Sequence, residues 1–178
     1  MQYGAKRIIV WMLHLVTWPM GLTSWVFQAW QSSDAVFEFW AKLLSLVPGL
    51  PGQYLRTSFY MQTLEQFHYD VAVGFCSFIA QSDVEVGRRV CIGSFSIIGT
   101  STIGHDVMIS SRVSILSGKY QHGGGADEIS ASTHLKFERV RIGNGSWLGE
   151  GSIVMADLGK GCAISAGSVV PKPVPDGA

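Results

Sequence analysis

IGTSTIGHDVMISSRVSIL (98–116) and RIGNGSWLGEGSIVMADLGKGCAISAGSVVPKPVPDG (141–177) carry an aliphatic residue that returns at about every sixth position. Val86-Gly87, Ile92-Gly93 and Ile98-Gly99 set the beat, and Ile97, Ile103, Ile109 and Ile115 continue it in a second register. It returns at Ile142-Gly143, Leu148-Gly149, Val154, Leu158-Gly159, Ile164 and Val170. Helices repeat their side-chain directions every 3.6 residues and strands every two, so neither alone gives a period of six. A repeating hexapeptide marks a parallel β-helix, in which each unit is one short strand and a sharp turn. Three units close one triangular coil, and the aliphatic residue points inward to stack on its equivalents in adjacent coils.

Outward from the repeat, composition narrows the class. The 178 residues are enough for one domain and an appendage. A formal net charge of zero gives no electrostatic footprint for nucleic acid. Cys76, Cys91 and Cys162 show no metal-binding spacing, and an odd count argues against a disulfide framework. Cys91 and Cys162 fall inside repeat units, where a buried small apolar residue is expected.

The N-terminus is different in kind. From Ile8 to Ser33 there is no Asp, Glu, Lys or Arg, Lys6 and Arg7 stand before the stretch, and Trp11, Trp18, Trp25 and Trp30 lie along it. The stretch is long enough to cross a bilayer, and tryptophan is enriched at membrane interfaces. A signal peptide fits poorly, since no small-x-small cleavage site precedes Asp34 clearly. A spanning helix would, by the positive-inside tendency, put the repeat on the far side of the membrane. A re-entrant hairpin or interfacial helix pair, broken at Pro19-Met20-Gly21, is the favoured expectation. Next, 35–47 reads as an amphipathic helix with Phe37, Trp40, Leu44 and Val47 on one face, stopped by Pro48-Gly49-Leu50-Pro51-Gly52. A short helix through Leu55 and Phe59 follows, and these helices cap the open end of the first coil. The expected layout is a membrane-associating helical hairpin or helix over 1–33, amphipathic helices and a cap over 34–69, and the repeat over 70–178 with an inserted loop at 117–139.

The two repeat blocks resemble the hexapeptide-repeat acyltransferases, and the PGLPGQYLRTSFYMQTL string resembles the leader of membrane-associated members from surface-polysaccharide pathways. The resemblance implies an all-β, left-handed parallel β-helix behind the apolar helical segment. It also implies a homotrimer and transfer of an acyl group, most often acetyl, from coenzyme A to a sugar hydroxyl or amine. A lipid-linked or surface-polysaccharide acceptor, at the cytoplasmic face of the plasma membrane, follows from the leader and the anchor. The interrupting loop would carry a histidine as general base, because imidazole titrates near working pH.

His122, in SGKYQHGGG directly after the first block, is the candidate for that base. The gapless match to the family histidine is Tyr120, two residues earlier, so Tyr120 is a candidate for orienting acceptor or base. His134 is a weaker catalytic candidate, and His105 reads as a turn residue. The γ-type carbonic anhydrases share the fold and bind zinc through three histidines. They need two histidines five apart, but positions 117 and 127 are Ser and Asp, so no metal is expected. The positions matching the coenzyme A groove are Glu150 through its main chain, Ala166 through its smallness, and Lys172 toward a phosphate. Trp147 walls a cleft or packs at the trimer seam. Members of the family usually continue through another short strand beyond a point like Ala178. The rival expectation is a catalytically silent scaffold for envelope-polysaccharide assembly.

Overall fold

A computed structural model describes residues 2–117 and 138–178, with side chains from Lys6 onward. Three helices come first: α1 (Gln2–Gln31), α2 (Ala35–Ser45) and α3 (Gly49–Thr63). After them the chain runs as strands of two or three residues, each paired in parallel with the strand one coil away.

The pairing sorts the strands onto three faces. The first face stacks Ala72–Val73, Cys91–Ile92, Met108–Ile109, Trp147–Leu148 and Ala163–Ile164. The second stacks Phe78–Ile79, Ile97–Ile98, Ser114–Ile115, Ile153–Val154 and Val169–Val170. The third stacks Glu85–Val86, Ser101–Ile103 and Val140–Ile142, and continues through single bridges at Leu158 and Val174. Taking every third strand onto the same face is the arrangement of a three-faced, β-helix-like stack.

In each strand one side chain points in and its neighbour points out. Val73, Ile79, Ile92, Ile98, Ile109, Ile115, Leu148 and Val154 are all inward and buried. That alternation corrects two readings. Ile97 is half-exposed, and Ile98 takes the inward place, so the second register begins at Ile103. Cys91 is exposed because Ile92 takes the inward place, whereas Cys162 is buried as expected. Two positions before several inward aliphatics sits a buried serine that ties coils together. Ser77 Oγ donates to the Gly93 carbonyl at 2.6 Å and accepts from the Ser96 N–H at 2.9 Å.

The corners repeat a second pattern. At the turn between the first and second faces, Cys76, Phe95, Arg112, Gly151 and Gly167 all have φ between 55° and 71°. At the turn between the third and first faces, Arg89, Asp106, Gly145, Gly161 and Gly177 have φ between 56° and 74°. The left-handed region disfavours any Cβ, so the early coils carry side chains where glycine is the relaxed choice. Arg89 and Asp106 pair side by side across one coil step, and the guanidinium holds the Asp106 carboxyl below its usual range.

The helices seal the first coil. Phe37, Phe59, Tyr60, Leu64 and Phe67 form a buried apolar plug continuous with the coil interior. Tyr60 OH accepts the Ile79 N–H at 3.0 Å, and burial pushes its phenol pKa up. Arg56 is buried and donates to the carbonyls of Leu44, Val47 and Val73 at 2.8 to 3.0 Å. The end of α2 brings the carbonyls of Leu44, Ser45 and Val47 to one point beside that of Val73, and a guanidinium with its fan of donors suits the place. Its burial lowers its pKa, opposed by the nearby Tyr60 and Cys76.

α2 ends before Pro48, in line with the stop read at Pro48 to Gly52, while α3 starts earlier than the sequence suggests: Gly49 opens it and Pro51 lies in its first turn. A proline is tolerated there because first-turn N–H groups have no helical acceptor. Gly52 is required by contact, since a Cβ would sit 1.8 Å from the Val47 carbonyl oxygen.

α1 is one uninterrupted helix with Pro19 inside it, so the break at Pro19-Met20-Gly21 does not occur. Proline removes one N–H and crowds the preceding turn, but α3 holds the helix on both sides of it. Thr17 Oγ1 lies 2.9 Å from Ser58 Oγ and accepts from Gln62 Nε2 at 2.5 Å. Gly21 lies against Gln62 and Thr63, and Trp40 Nε1 donates to Thr23 Oγ1 at 3.0 Å. Tertiary packing therefore outweighs the local cost.

Candidate functional site

The beat stops and resumes at one corner, between the second and third faces. Ser117 is buried there, its Oγ accepts the Thr100 N–H at 2.9 Å, and its carbonyl accepts the Glu138 N–H at 2.9 Å. The two ends of the insertion are thus pinned to each other and to the coil beneath. Val140 N–H then donates to the Thr100 carbonyl at 3.1 Å and restores the coil. His122, Tyr120 and His134 lie within 118–137, outside the described residues.

A cleft of about 510 Å³ opens two coils below this root, between the α1–α2 junction and the corner at 80–83, and Thr100, on the coil between, lines it. Its volume is in the range of small-molecule sites. Its lining includes the polar side chains of Gln28, Asp34, Glu38, Gln81, Asp83 and Thr100. Asp34 precedes α2 but does not cap it with its side chain. It accepts instead from the Ser82 N–H at 3.1 Å and the Ser82 hydroxyl at 2.7 Å, which fastens the helices to the corner. The Gln81 Oε1 is buried and has no hydrogen-bond partner among the described residues. Arg139, just past the insertion, reaches Asp83 and Glu85 at 3.3 Å each and Thr102 Oγ1 at 3.2 Å. A smaller cleft of about 280 Å³ lies on the other side of the root, against Arg139, Met155, Asp157, Pro171 and Pro173. Carboxylates, amides and hydroxyls around one cleft are the groups that hydrogen-bond a polyhydroxylated ligand.

The structure divides the sequence-derived donor residues between two corners. Glu150 and Ala166 stack on the corner between the first and second faces, where the Glu150 carbonyl accepts the Gly167 N–H at 2.8 Å. The Glu150 carboxylate pairs with Arg112 at 2.5 Å. Ala166 covers Gly149, whose missing Cβ would meet the Ala166 nitrogen at 2.5 Å. Lys172 is exposed between Pro171 and Pro173, on the corner that carries the insertion. Between the corners runs the second face, where Ile153 and Val169 point outward and are exposed. Trp147 opens its strand on the first face, half-exposed between Met108 and Ala163.

His105 is a turn residue, as expected: its Nδ1 accepts the Arg88 N–H at 2.9 Å and its own N–H donates to Asn144 Oδ1 at 2.9 Å. No cluster of His, Cys, Asp or Glu suited to a metal occurs among the described residues. Sequence reading missed Asp34, Gln81, Asp83 and Arg139. Only the pairing of coils brings 34, 81–83, 100 and 139 to one corner, and no local motif signals it.

The chain matches no protein-family model and no curated protein sequence. Among solved structures it is similar to that of the polySia specific acetyltransferase NeuO, at 24% identity and a TM-score of 0.48. That similarity covers 61% of this chain and 53% of the other, so the chain spans about half of that neighbour's length.

Proposed function

We propose that this chain is an acyltransferase that uses an acyl-coenzyme A, most simply acetyl-CoA, and acylates a hydroxyl or amine of a saccharide. The observation that carries the reading is the corner itself. A hexapeptide stack is interrupted at one place, the insertion bearing His122 leaves and returns through Ser117 and Glu138, and a hydroxyl-compatible cleft shares Thr100 with that root.

In this reading His122 takes the proton from the acceptor O–H, and the oxygen attacks the thioester carbonyl carbon. The tetrahedral intermediate collapses with cleavage of the C–S bond, and the imidazolium returns its proton to the departing thiolate. Backbone N–H groups stabilise the oxyanion. Tyr120 orients the acceptor, and His134 is the alternative base. The acyl donor lies across the second face, its thin pantetheine arm near Ala166 and the Glu150 main chain and a phosphate near Lys172. No metal takes part.

The stack is read as left-handed and the assembly as a homotrimer. Two of the three faces present apolar side chains outward, Met108 and Trp147 on one and Ile97, Ile153 and Val169 on the other, while the third presents Glu85, Thr102 and Arg141. Two apolar faces and one polar face suit packing about a threefold axis. The enzyme works at the cytoplasmic face of the plasma membrane, the side on which coenzyme A is available, and the long apolar α1 is the reason for preferring a lipid-linked or surface-polysaccharide intermediate as acceptor.

Calorimetric titration of the purified protein with acetyl-CoA tests the donor half. Dissociation at micromolar concentration, about −8 kcal/mol, is expected. Absence of binding would instead favour the non-catalytic scaffold, a reading that draws on the engagement of both the Glu150 carboxylate and its carbonyl within the stack.

A further inference from the structure

We infer that α1 lies flat in the interface of a lipid bilayer along its whole length, with both ends on the same side, and does not cross it. The inference rests on the membrane reading above and adds the contact face and the orientation.

α1 is amphipathic in the inverted sense. Its buried side is Val10, Thr17, Gly21 and Ser24, with His14 Nδ1 held 2.8 Å from Ser58 Oγ. Its outward side is Ile8, Trp11, Leu15, Trp18, Trp25 and Trp30, all exposed, with Leu15 at 83% and Trp30 at 78%. A helix bordered by water turns its apolar stripe to the protein and its polar side out. Small residues and hydroxyls toward the neighbouring helix, with large apolar side chains outward, is the pattern of a helix whose outer medium is hydrocarbon. Four of the outward side chains are tryptophans, the residue that settles where hydrocarbon meets headgroups.

The tethers fix the orientation. Near one end, Lys6 Nζ donates to the Val71 carbonyl at 3.0 Å, and near the other Gln28 Nε2 donates to Ser82 Oγ at 2.7 Å. Val71 and Ser82 belong to the same coil, so both ends of the helix are tied to that coil. Residues 6 and 28 are about 33 Å apart along a helix, the full thickness of a hydrocarbon core. A transmembrane α1 would therefore carry that coil, with its polar turns, across the core, and lipid leaves no place for such groups. Lying flat, α1 wets only its apolar stripe. A second copy is a poor fit to the same stripe: paired helices sit 8–10 Å apart, and indole rings at Trp11, Trp18 and Trp25 would hold them apart.

The test uses the full chain and vesicles of phosphatidylcholine and phosphatidylglycerol brominated at shallow or deep acyl positions. Four variants each keep only Trp11, Trp18, Trp25 or Trp30, with Phe at every other tryptophan. All four should be quenched, at one common shallow depth. Depths graded from Trp11 to Trp30 would overturn the flat orientation and leave the membrane reading standing. Quenching of none, with the protein left in the supernatant, would overturn both. Val26, like Leu15, is exposed on α1. In the otherwise natural chain, Leu15→Lys with Val26→Lys should weaken vesicle binding more than about tenfold while leaving the circular dichroism unchanged. Unchanged binding would overturn the contact face. None of these readouts involves acyl transfer or coenzyme A.

Discussion

α1 and the coils obey opposite rules for their apolar side chains. In the coils the aliphatics face one another and the outward strand positions hold a mixture. In α1 the protein-facing side holds Thr17, Gly21 and Ser24 beside Val10, and most of the large apolar side chains face away. Hydrophobic periodicity reports that one side of an element differs from the other, and the partner each side meets decides which one is covered by protein. The period of six therefore predicted an interior, while the stretch Ile8–Trp30 predicted only an apolar surface.

The contrast breaks most visibly at two leucines. Leu148 is fully buried in the stack, and Leu148→Ala should cost about 2–5 kcal/mol. Leu15→Ala, on the outer face of α1, should stay within about 0.5 kcal/mol in detergent-free solution. Urea unfolding of both variants measures the pair; comparable losses would mean that α1 has a protein partner on its outer face. Next in size is the buried side of α1, where an apolar replacement should harm. Thr17→Val removes a hydroxyl shared with Ser58 and Gln62 and should cost about 1–3 kcal/mol by the same measurement.

The corners sharpen the comparison within the stack. Gly167 has φ +70° and open space around its Cβ direction, so Gly167→Ala isolates backbone strain and should cost about 1 kcal/mol. The smallest effect belongs to Asp106, exposed beside Arg89. Its folded-state pKa is lowered, chiefly by the Arg89 hydrogen bond. Its contribution is therefore present above the ordinary carboxylate range and lost as pH falls through the lowered value. Asp106→Asn should slightly flatten the acid limb of the stability–pH curve and leave neutral stability almost unchanged. A steeper limb would contradict the sign.

The stack was legible because its signal is redundant. Each inward aliphatic has equivalents one coil above and below, so a slip such as Ile97 for Ile98 leaves the period intact. The uninterrupted course of α1 through Pro19 was not legible, since it depends on contacts with Ser58, Gln62 and Trp40, whose positions no pattern in α1 encodes. Arg56 likewise reads as a surface arginine until the end of α2 is seen to deliver its carbonyls to one point. At the candidate site, Glu150 and Ala166 share a corner and Lys172 lies on another, although all three belong to one block of sequence. Adjacency in this fold comes at intervals of one coil, so only counting coils would have separated them. Asp34 and Gln81 were missed for the complementary reason: they meet Thr100 across sequence distances that no motif spans.

The plug of Phe37, Phe59 and Tyr60 beneath the first coil also has a temporal meaning. A parallel strand needs a template, and in this chain the template precedes its copies in the order of synthesis. The helices leave the ribosome before any strand does, and Tyr60 and Arg56 present a hydroxyl and a guanidinium that fix the first rung. Each later rung then finds the previous one already in place. Assembly can thus advance in the same direction as translation, with the exposed growing end always the newest coil.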